Sequence, residues 1–307
     1  MGQLPVIAVV GATAAGKSDL AVELALRLDG EVINTDSMQL YRGMDIGTAK
    51  LSPGERRGVP HHLLDIWPVT RTASVAEYQR LARPLVDDLR ARGRAAILAG
   101  GSGLYVRALL DDLEFPGTDP RIRERLEKEL ADAGPAPLHL RLSGLDPVAA
   151  ENILSSNGRR IVRALEVIEL TGRPFSATMP TYDAMDDSVQ IGVGVPRPEL
   201  DRRIELRVAR MWEAGLVDEV RALAEQGLAD GRTASRALGY AQVLRFLGGE
   251  WTEEQAREET VRATRRFARR QESWFRRDPR VVWLPFDAPD LAGRAIAVIE
   301  EHDPKLG

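Results

Sequence analysis

The sequence predicts an α/β fold in which a parallel sheet is flanked by helices. Short apolar runs rich in β-branched residues alternate with helical stretches rich in Ala, Leu and Glu. Strands are predicted at Leu4–Val10, Glu31–Asn34 and Ala95–Ala99, and helices at Ser18–Leu28 and Val75–Arg92. Strands and helices in this order form a parallel sheet with helices on its faces. Ligands of such folds bind beyond the carboxyl ends of the strands, so the residues that follow each strand are the first candidates for a site.

A second, helical domain is predicted after Asp111. Helices are predicted at Arg121–Ala131 and Arg159–Thr171, and the next strand at Val189–Val195. We therefore predict a catalytic core formed by residues 1–113 and 188–307, with residues 114–187 as a helical insertion domain. The rest of the core is predicted to contain four helices and a last strand, at Glu199–Ala214, Val217–Gln226, Ala237–Leu247, Thr252–Arg277 and Val281–Leu284.

The composition excludes several classes of protein. The 307 residues include 44% hydrophobic and 29% charged residues, as in ordinary globular chains. The chain has no cysteine, which excludes disulfides and cysteine-ligated zinc and fits a reducing compartment. No apolar stretch approaches the roughly 18 residues of a membrane span, and no basic segment precedes the N-terminal apolar run. We expect a cytoplasmic monomer that lacks a signal peptide and makes no contact with a membrane.

A phosphate-binding loop is predicted between the first strand and the first helix. Residues Gly11–Ser18 read G-A-T-A-A-G-K-S and match the pattern G-x-x-x-x-G-K-[ST]. Its glycines allow backbone N–H groups to converge, and the helix N-terminus adds partial positive charge. Lys17 adds a full charge, and the Ser18 hydroxyl is placed to ligate Mg²⁺. ATP, GTP and a simple diphosphate ester all fit this loop. The candidates for binding the diphosphate are Gly11, Ala12, Thr13, Ala14, Ala15, Gly16, Lys17 and Ser18.

Polar residues also follow the second and third strands. Asp36 could be a general base for an incoming nucleophile, could hold Mg²⁺ through water, or could simply cap a turn. The glycines of Gly100–Tyr105 could let the backbone approach a ligand, with Ser102 or Tyr105 as hydrogen-bond donors, or could form only a tight turn into a helix. His61 and His62 are predicted to be structural, because adjacent residues on an extended segment point to opposite sides.

The net charge of −4 argues against general affinity for nucleic acid, but the charges are unevenly distributed along the chain. Seven arginines and a single acid, Glu272, lie between Arg262 and Arg277. In the predicted last long helix, one side is expected to carry Arg262, Arg266, Arg269 and Arg277. Phe267 and Trp274 are seven residues apart, and we predict that both belong to the core.

Taken together, these segments resemble the bacterial tRNA dimethylallyltransferases, which attach a dimethylallyl group to an adenosine next to the anticodon. Besides the phosphate loop, the matching segments are Asp36–Tyr41 (D-S-x-Q-x-Y), Asp45–Lys50 (D-I-G-T-A-K), Pro60–Asp65 (P-H-H-L-x-D), Gly100–Tyr105 (G-G-T-x-x-Y, with serine for threonine), Arg160–Glu166 (R-x-x-R-A-L-E) and Arg236–Gln242. The sequence departs from the family pattern at Ser156–Gly158 and at Ala241. The resemblance covers nearly the full length, in order.

The resemblance implies a fold similar to that of the P-loop NTPases, with dimethylallyl diphosphate and a tRNA anticodon stem-loop as substrates and Mg²⁺ as cofactor. It implies that Lys17 and Arg207 hold the departing diphosphate and that Asp36 is the general base. The implied tRNA contacts are Asp36, Ser37, Met38, Gln39, Ser102, Arg123, Arg159, Arg160, Arg163, Arg236, Gly239 and Tyr240. The alternatives are an adenylate isopentenyltransferase acting on free nucleotides, a P-loop small-molecule kinase, and a non-catalytic nucleotide-binding switch.

Overall fold

The computed structural model describes residues 5–178 and 187–302 and contains one six-stranded sheet in this part of the chain. The strands are β1 (Val6–Val10), β2 (Glu31–Asn34), β3 (His61–His62), β4 (Ala96–Ala99), β5 (Ser188–Gly194) and β6 (Val281–Pro285). Their order is β3-β2-β4-β1-β5-β6, and every neighbouring pair is parallel. The predicted parallel α/β fold is confirmed.

Twelve helices are found in the same described residues. They are α1 (Lys17–Arg27), α2 (Val75–Ala91), α3 (Gly103–Leu110), α4 (Pro120–Ala133), α5 (Pro135–Leu145), α6 (Pro147–Asn152), α7 (Gly158–Thr171), α8 (Arg197–Glu213), α9 (Leu216–Glu225), α10 (Tyr240–Leu247), α11 (Glu253–Phe275) and α12 (Leu291–His302). Short 3₁₀ turns lie at Phe175–Thr178, Leu228–Asp230 and Ala234–Arg236. None of the helices in residues 5–178 and 187–302 is long and apolar enough to cross a membrane.

The side chains of the strands point alternately to the two faces of the sheet, and both faces are apolar. In β1, Ile7 and Val9 belong to one core cluster, whereas Ala8 and Val10 belong to the other, as expected for side chains that point alternately to opposite faces. The first face is covered by α1, α8 and α12. The second face is covered by α2, α3, α9 and α10. Such a two-sided sheet leaves the carboxyl ends of its strands free to carry a site.

Contacts divide the chain into two compact units. One consists of Met1–Leu110 and Ala184–Gly307, and the other of Asp111–Asp183. The second unit contains α4 to α7 around a small core that includes Leu126, Leu142 and Leu165. Asp119, Asp146 and Asn157 cap the N-termini of α4, α6 and α7 through side-chain oxygens that accept backbone N–H groups.

Several elements differ from the sequence-based expectations. β3 was not predicted, because it is only two residues long and exists through its pairing with Val32 and Ile33. α12 was also not predicted. α11 ends at Phe275, so the expectation that Arg277 shares a helical face with Arg262, Arg266 and Arg269 is wrong. The predicted strand residue Leu4 lies outside the described residues.

Candidate active site

A cavity of about 610 Å³ lies at the carboxyl edge of the sheet, within the first unit. Its walls come from the loops that follow β1, β2 and β4, from α8 and α11, and from the turn before α10. The loops contribute Thr13, Asp36 and Ser102, among others. Residues that the sequence places far apart, at the ends of three different strands, are thus brought to one cavity.

The phosphate loop wraps around the start of α1. Gly16 is the residue before α1 and has φ +97°, a left-handed conformation that glycine adopts without strain. Ala14 also has a positive φ, of 64°, which is uncommon for a residue with a side chain. The Lys17 ammonium donates to the Ala12 carbonyl at 2.7 Å, so the lysine folds back over its own loop. This is the concave arrangement that anion-binding loops require.

Lys17, Asp36 and Arg207 form a charged cluster at this loop. Burial lowers the pKa of Lys17 to about 8, and the nearby positive charge of Arg207 adds to that effect, whereas Asp36 opposes it. Burial raises the pKa of Asp36 above its ordinary value, against the hydrogen bonds from Met38 and Gln39 and the positive charges of Lys17 and Arg207. Burial also lowers the pKa of Arg207. Two cations and one carboxylate therefore share a poorly solvated site, and Asp19 adds a further negative charge near Arg207.

Asp36 is held by its own neighbours. Its Oδ1 accepts the Met38 N–H at 2.9 Å, and its backbone N–H donates to Asn34 Oδ1 at 2.8 Å. Asn34 Nδ2 in turn donates to the carbonyls of Asp36 and Leu63, each at 3.0 Å. The buried Tyr78 hydroxyl donates to the Asn34 carbonyl at 2.9 Å. The carboxylate therefore stands on a rigid turn directly after β2.

Thr13 links the phosphate loop to two helices. Its hydroxyl accepts a hydrogen bond from Arg207 Nη1 of α8 at 3.1 Å. Its backbone N–H donates to Gln271 Oε1 of α11 at 2.9 Å. Gln271 was not singled out from the sequence, because nothing in the local pattern of α11 marks it.

The Gly100–Tyr105 segment is both a turn into α3 and a wall of the cavity. A Cβ at Gly100 would lie 2.3 Å from Thr35 Oγ1, and a Cβ at Gly103 would lie 2.1 Å from Trp274 Nε1. Backbone atoms of Thr35 and Asp36 also lie within 2.8 Å of such a Cβ at Gly100, so that position requires glycine, whereas a side chain at Gly103 would have to displace the Trp274 ring. Ser102 Oγ accepts the Ser37 N–H at 3.3 Å, which joins this segment to the one that carries Asp36.

His61 and His62 make structural contacts, as predicted. His61 Nδ1 donates to the Val59 carbonyl at 2.9 Å, and His62 Nε2 donates to Glu31 Oε2 at 2.6 Å. Glu31 also binds Arg92 and Arg94. The hydrogen bond from Arg92 is the main cause that lowers the pKa of Glu31 to about 2, and the hydrogen bonds from His62 and Arg94 add to it. Across residues 5–178 and 187–302, no group of three or more His, Cys, Asp or Glu side chains could hold a metal ion.

The prediction that Phe267 and Trp274 belong to the core is wrong. Both line the cavity, and Trp274 is 43% exposed. Helical spacing places them on one face of α11 but does not say whether that face meets the core or an opening. With Leu104, Val208 and Met211, they give the cavity an apolar part of its wall, in addition to the charged side chains of Asp36 and Arg207.

The residues implied to contact tRNA fall into four groups. Ser37, Met38, Ser102 and Arg236 line the cavity with Asp36. Gln39 lies beside them, and its Nε2 donates to the Thr48 carbonyl at 3.1 Å. Gly239 and Tyr240 are buried instead, and the rest lie in the second unit.

Tyr240 has a buried position, from which its hydroxyl reaches Glu219. It is fully buried, and its hydroxyl donates to Glu219 Oε1 at 2.5 Å. Glu219 of α9 also accepts the backbone N–H groups of Asp45, Ile46 and Gly47 at 2.8–3.2 Å. The sequence did not single out Glu219, although its carboxylate anchors the loop that leads to Gly47 and Thr48 in the cavity wall.

The arginines of the second unit differ from one another. Arg159 and Arg160 are exposed at the start of α7. Arg163 binds the buried Glu166 at 2.8 Å and the carbonyls of Pro116 and Gly117 at 2.6 and 3.0 Å. Arg123 also pairs with Glu166. Arg123 and Arg163 therefore hold the unit together, whereas Arg159 and Arg160 present their charge to solvent.

Comparison with known proteins identifies the family. A family model described as IPP transferase matches residues 39–278. A tRNA dimethylallyltransferase of Thermobifida fusca is 72% identical over 97% of this chain and 95% of its own length. A tRNA dimethylallyltransferase of Streptomyces coelicolor is 70% identical over 96% of each.

Solved structures agree with these sequence relationships. The tRNA isopentenylpyrophosphate transferase of Bacillus halodurans is 41% identical, with a TM-score of 0.71 over 98% of both chains. A eukaryotic dimethylallyltransferase described as acting on tRNA is 25% identical, with a TM-score of 0.85 over 98% of this chain and 80% of that one. The fold predicted to be similar to the P-loop NTPases is consistent with these neighbours. The chain belongs to the IPP transferase family and is an enzyme of the tRNA dimethylallyltransferase type.

Proposed function

We propose that the enzyme transfers the dimethylallyl group of dimethylallyl diphosphate to the exocyclic amine, N6, of the adenosine 3′ to the anticodon in tRNA, and releases diphosphate. The observation that carries the proposal is that Asp36 and Arg207 line one cavity together with apolar side chains, and that the Lys17 ammonium interacts electrostatically with both of them. This arrangement suits an anionic leaving group, an apolar transferred group and an acceptor that must lose a proton. The names of the relatives support tRNA as the acceptor.

The phosphate loop and its cations would hold the donor. Diphosphate leaves with growing negative charge, and charged donors aimed at that charge in a poorly solvated site stabilise the transition state. Lys17 supplies an ammonium and Arg207 a guanidinium, which Thr13 orients by accepting its hydrogen bond. The loop residues Gly11–Ser18 would supply further backbone N–H groups, apart from those of Thr13 and Ala15, which are bonded to Gln271 and to the Ala12 carbonyl. The apolar wall with Phe267 and Trp274 would receive the dimethylallyl group.

A divalent metal fits the chemistry of this site, and we propose Mg²⁺. Mg²⁺ takes hard oxygen ligands and is held by few protein groups together with substrate phosphates and water. Ser18 offers a hydroxyl oxygen in the first turn of α1, directly after Lys17. When bound, the metal would neutralise charge on the diphosphate.

Asp36 would act on the acceptor. The lone pair of the adenine amine is delocalised into the ring, so a carboxylate that accepts its proton increases its reactivity. The C–O bond to diphosphate breaks, the C–N6 bond forms, and the N6 proton goes to the Asp36 carboxylate. The raised pKa of Asp36 moves its basicity toward the working pH, where general bases are most effective. The contacts that hold Asp36 leave it facing the cavity.

The RNA would be recognised through an unstacked base and through backbone charge. An adenine inside a stack cannot present its amine, so it must be flipped into the cavity. We propose that Ser37, Met38, Gln39, Ser102 and Arg236 contact the flipped nucleotide and its neighbours. We further propose that Arg159 and Arg160 bind phosphates, with Arg123 and Arg163 maintaining the insertion domain formed by residues 114–187.

The exposed position of Arg160 leads to a salt-dependent prediction. Arg160→Ala should weaken tRNA binding and reduce the slope of log affinity against log salt by about 1, because one phosphate contact is lost. Arg163→Ala is a useful comparison, since it removes the partner of the buried Glu166 and should lower the melting temperature. Filter binding over a salt series checks the prediction. An Arg160→Ala variant with wild-type affinity at every salt concentration would make Arg160 merely a solvated residue.

The opposed pKa shifts predict the pH dependence of kcat/KM for dimethylallyl diphosphate. Lys17 must be protonated, so the rate constant should fall as pH rises through about 8. Asp36 must be ionised, so the rate constant should fall again on the acid side, at a pH above the range of an ordinary carboxylate. Lys17→Arg keeps its charge and should lose the alkaline fall. A wild-type profile that stays level well above pH 8 would contradict the role of Lys17.

Choice of acceptor tests the function itself. Incubation with radiolabelled dimethylallyl diphosphate and either unmodified tRNA, AMP or no acceptor should place label on tRNA alone. Label on AMP would favour an adenylate isopentenyltransferase. Transfer of a phosphoryl group from ATP to a small molecule would favour a kinase, and an absence of any transfer would favour a nucleotide-binding switch. We propose that the enzyme works as a monomer in the cytoplasm, which light scattering and fractionation would check.

A further inference from the structure

Gln271 bridges two loops of the active site. It lies near the end of α11 and is 6% exposed. Its Oε1 accepts the Thr13 N–H at 2.9 Å, and its Nε2 donates to the Gly101 carbonyl at 2.8 Å. Since an N–H must meet an acceptor and a carbonyl must meet a donor, these two partners fix the orientation of the amide. A Cβ at Gly101 would lie 2.1 Å from Nε2, so the amide packs closely against that loop and leaves no room for a side chain there.

Each of the two bonded residues leads directly to a proposed reacting group. Thr13 orients Arg207 through its hydroxyl, at 3.1 Å. Gly101 precedes Ser102, whose hydroxyl accepts the backbone N–H of the residue after Asp36, at 3.3 Å. One amide therefore lies between the group that would hold diphosphate and the group that would take the proton. The Thr13 N–H is committed to this bond and is not available to the diphosphate.

We propose that Gln271 is a positioning residue for the transfer reaction, tying the phosphate loop to the Gly100–Tyr105 loop so that the diphosphate-binding cations and Asp36 keep their relative placement. This role rests on the proposed function. Misplacing reacting groups by about 1 Å can cost about 10²-fold in rate. Because Gln271 belongs to α11, the same helix that carries Phe267 and Trp274 to the cavity also holds these two loops.

Gln271→Met tests the bridge, because methionine has a similar length and cannot make either hydrogen bond. We expect kcat/KM for dimethylallyl diphosphate to fall by about 10–10²-fold, with a raised KM for that substrate and an unchanged KM for tRNA. The control is Gln255→Met in the first turn of the same helix, where Oε1 accepts the Thr252 N–H at 2.8 Å. That variant should change the melting temperature without changing either KM. A fall in kcat/KM that Gln271→Met shows and Gln255→Met does not, at equal melting temperatures, separates positioning from loss of folding stability.

Gln271→Glu supplies a second readout that a structural role would not produce. An ionised glutamate accepts the Thr13 N–H but cannot donate to Gly101, whereas a protonated glutamate can do both. The activity of this variant relative to the wild type at the same pH should therefore rise as pH falls, and that of Gln271→Met should not. Wild-type kinetics in Gln271→Met, or a pH-independent ratio for Gln271→Glu, would overturn the proposal. Failure of the wild type to label tRNA would instead count against the proposed function.

Discussion

Asp36→Asn should slow transfer to tRNA by about 10²–10⁴-fold, the usual contribution of a general base. Asparagine keeps an oxygen that can accept the Met38 N–H, so the turn after β2 should retain its shape. It cannot accept the proton from N6, and its loss of charge leaves Lys17 and Arg207 without their nearby carboxylate. We therefore expect undiminished affinity for diphosphate together with a low rate constant for transfer, measured under single-turnover conditions.

Asp19→Asn is the matched control for the loss of a negative charge. Asp19 lies in the first turn of α1, is exposed, and contributes favourably to the charge of Arg207, but does not line the cavity. This variant should keep nearly the full rate. Near-normal turnover in Asp36→Asn would remove the general base from the mechanism, and a comparable loss in Asp19→Asn would attribute the effect to electrostatics alone.

Lys17→Met should lower kcat by about 10²–10³-fold, as expected when one donor aimed at developing negative charge is removed. The variant also leaves the Ala12 carbonyl without its ammonium partner, which lies at 2.7 Å in the native protein. Calorimetric titration with inorganic diphosphate should show weaker binding in this variant. Lys17→Arg should retain more of that binding, because the positive charge is preserved.

Lys128→Met is the control for the removal of a lysine. Lys128 is exposed on α4 and does not line the cavity. Its replacement should leave diphosphate affinity and kcat unchanged. If Lys17→Met bound diphosphate as tightly as this control, the phosphate loop would not be holding the leaving group.

The sheet and the phosphate loop could be predicted because their signals are local. β1 and β4 are continuous apolar runs, and Gly11–Ser18 is a pattern of eight consecutive residues. The residues alone left three roles open for Asp36, since an acid after a strand serves many purposes. The choice among these roles depends on the positive charges of Lys17 and Arg207 near Asp36. Arg207 lies on α8, which follows the second unit in the chain.

Other features depend on contacts that no local pattern records. Gln271 is separated from Thr13 by 258 residues, so its bridge exists only in the folded chain. The seven-residue spacing of Phe267 and Trp274 predicts a shared helical face, but periodicity does not indicate whether the core or a cavity meets that face. A run of arginines likewise looks uniform in sequence, although Arg163 is tied to Glu166 and Arg160 is exposed.

The position of the transferred group tests the account most directly. An unmodified tRNA anticodon stem-loop would be incubated with the enzyme and dimethylallyl diphosphate, digested to nucleosides, and analysed by mass spectrometry while released diphosphate is measured. We expect one five-carbon group on N6 of the adenosine 3′ to the anticodon for each diphosphate released, and no product when that adenosine is replaced by purine riboside, which lacks the amine. Modification of another nucleoside, or an equal yield with the purine riboside substrate, would contradict this expectation.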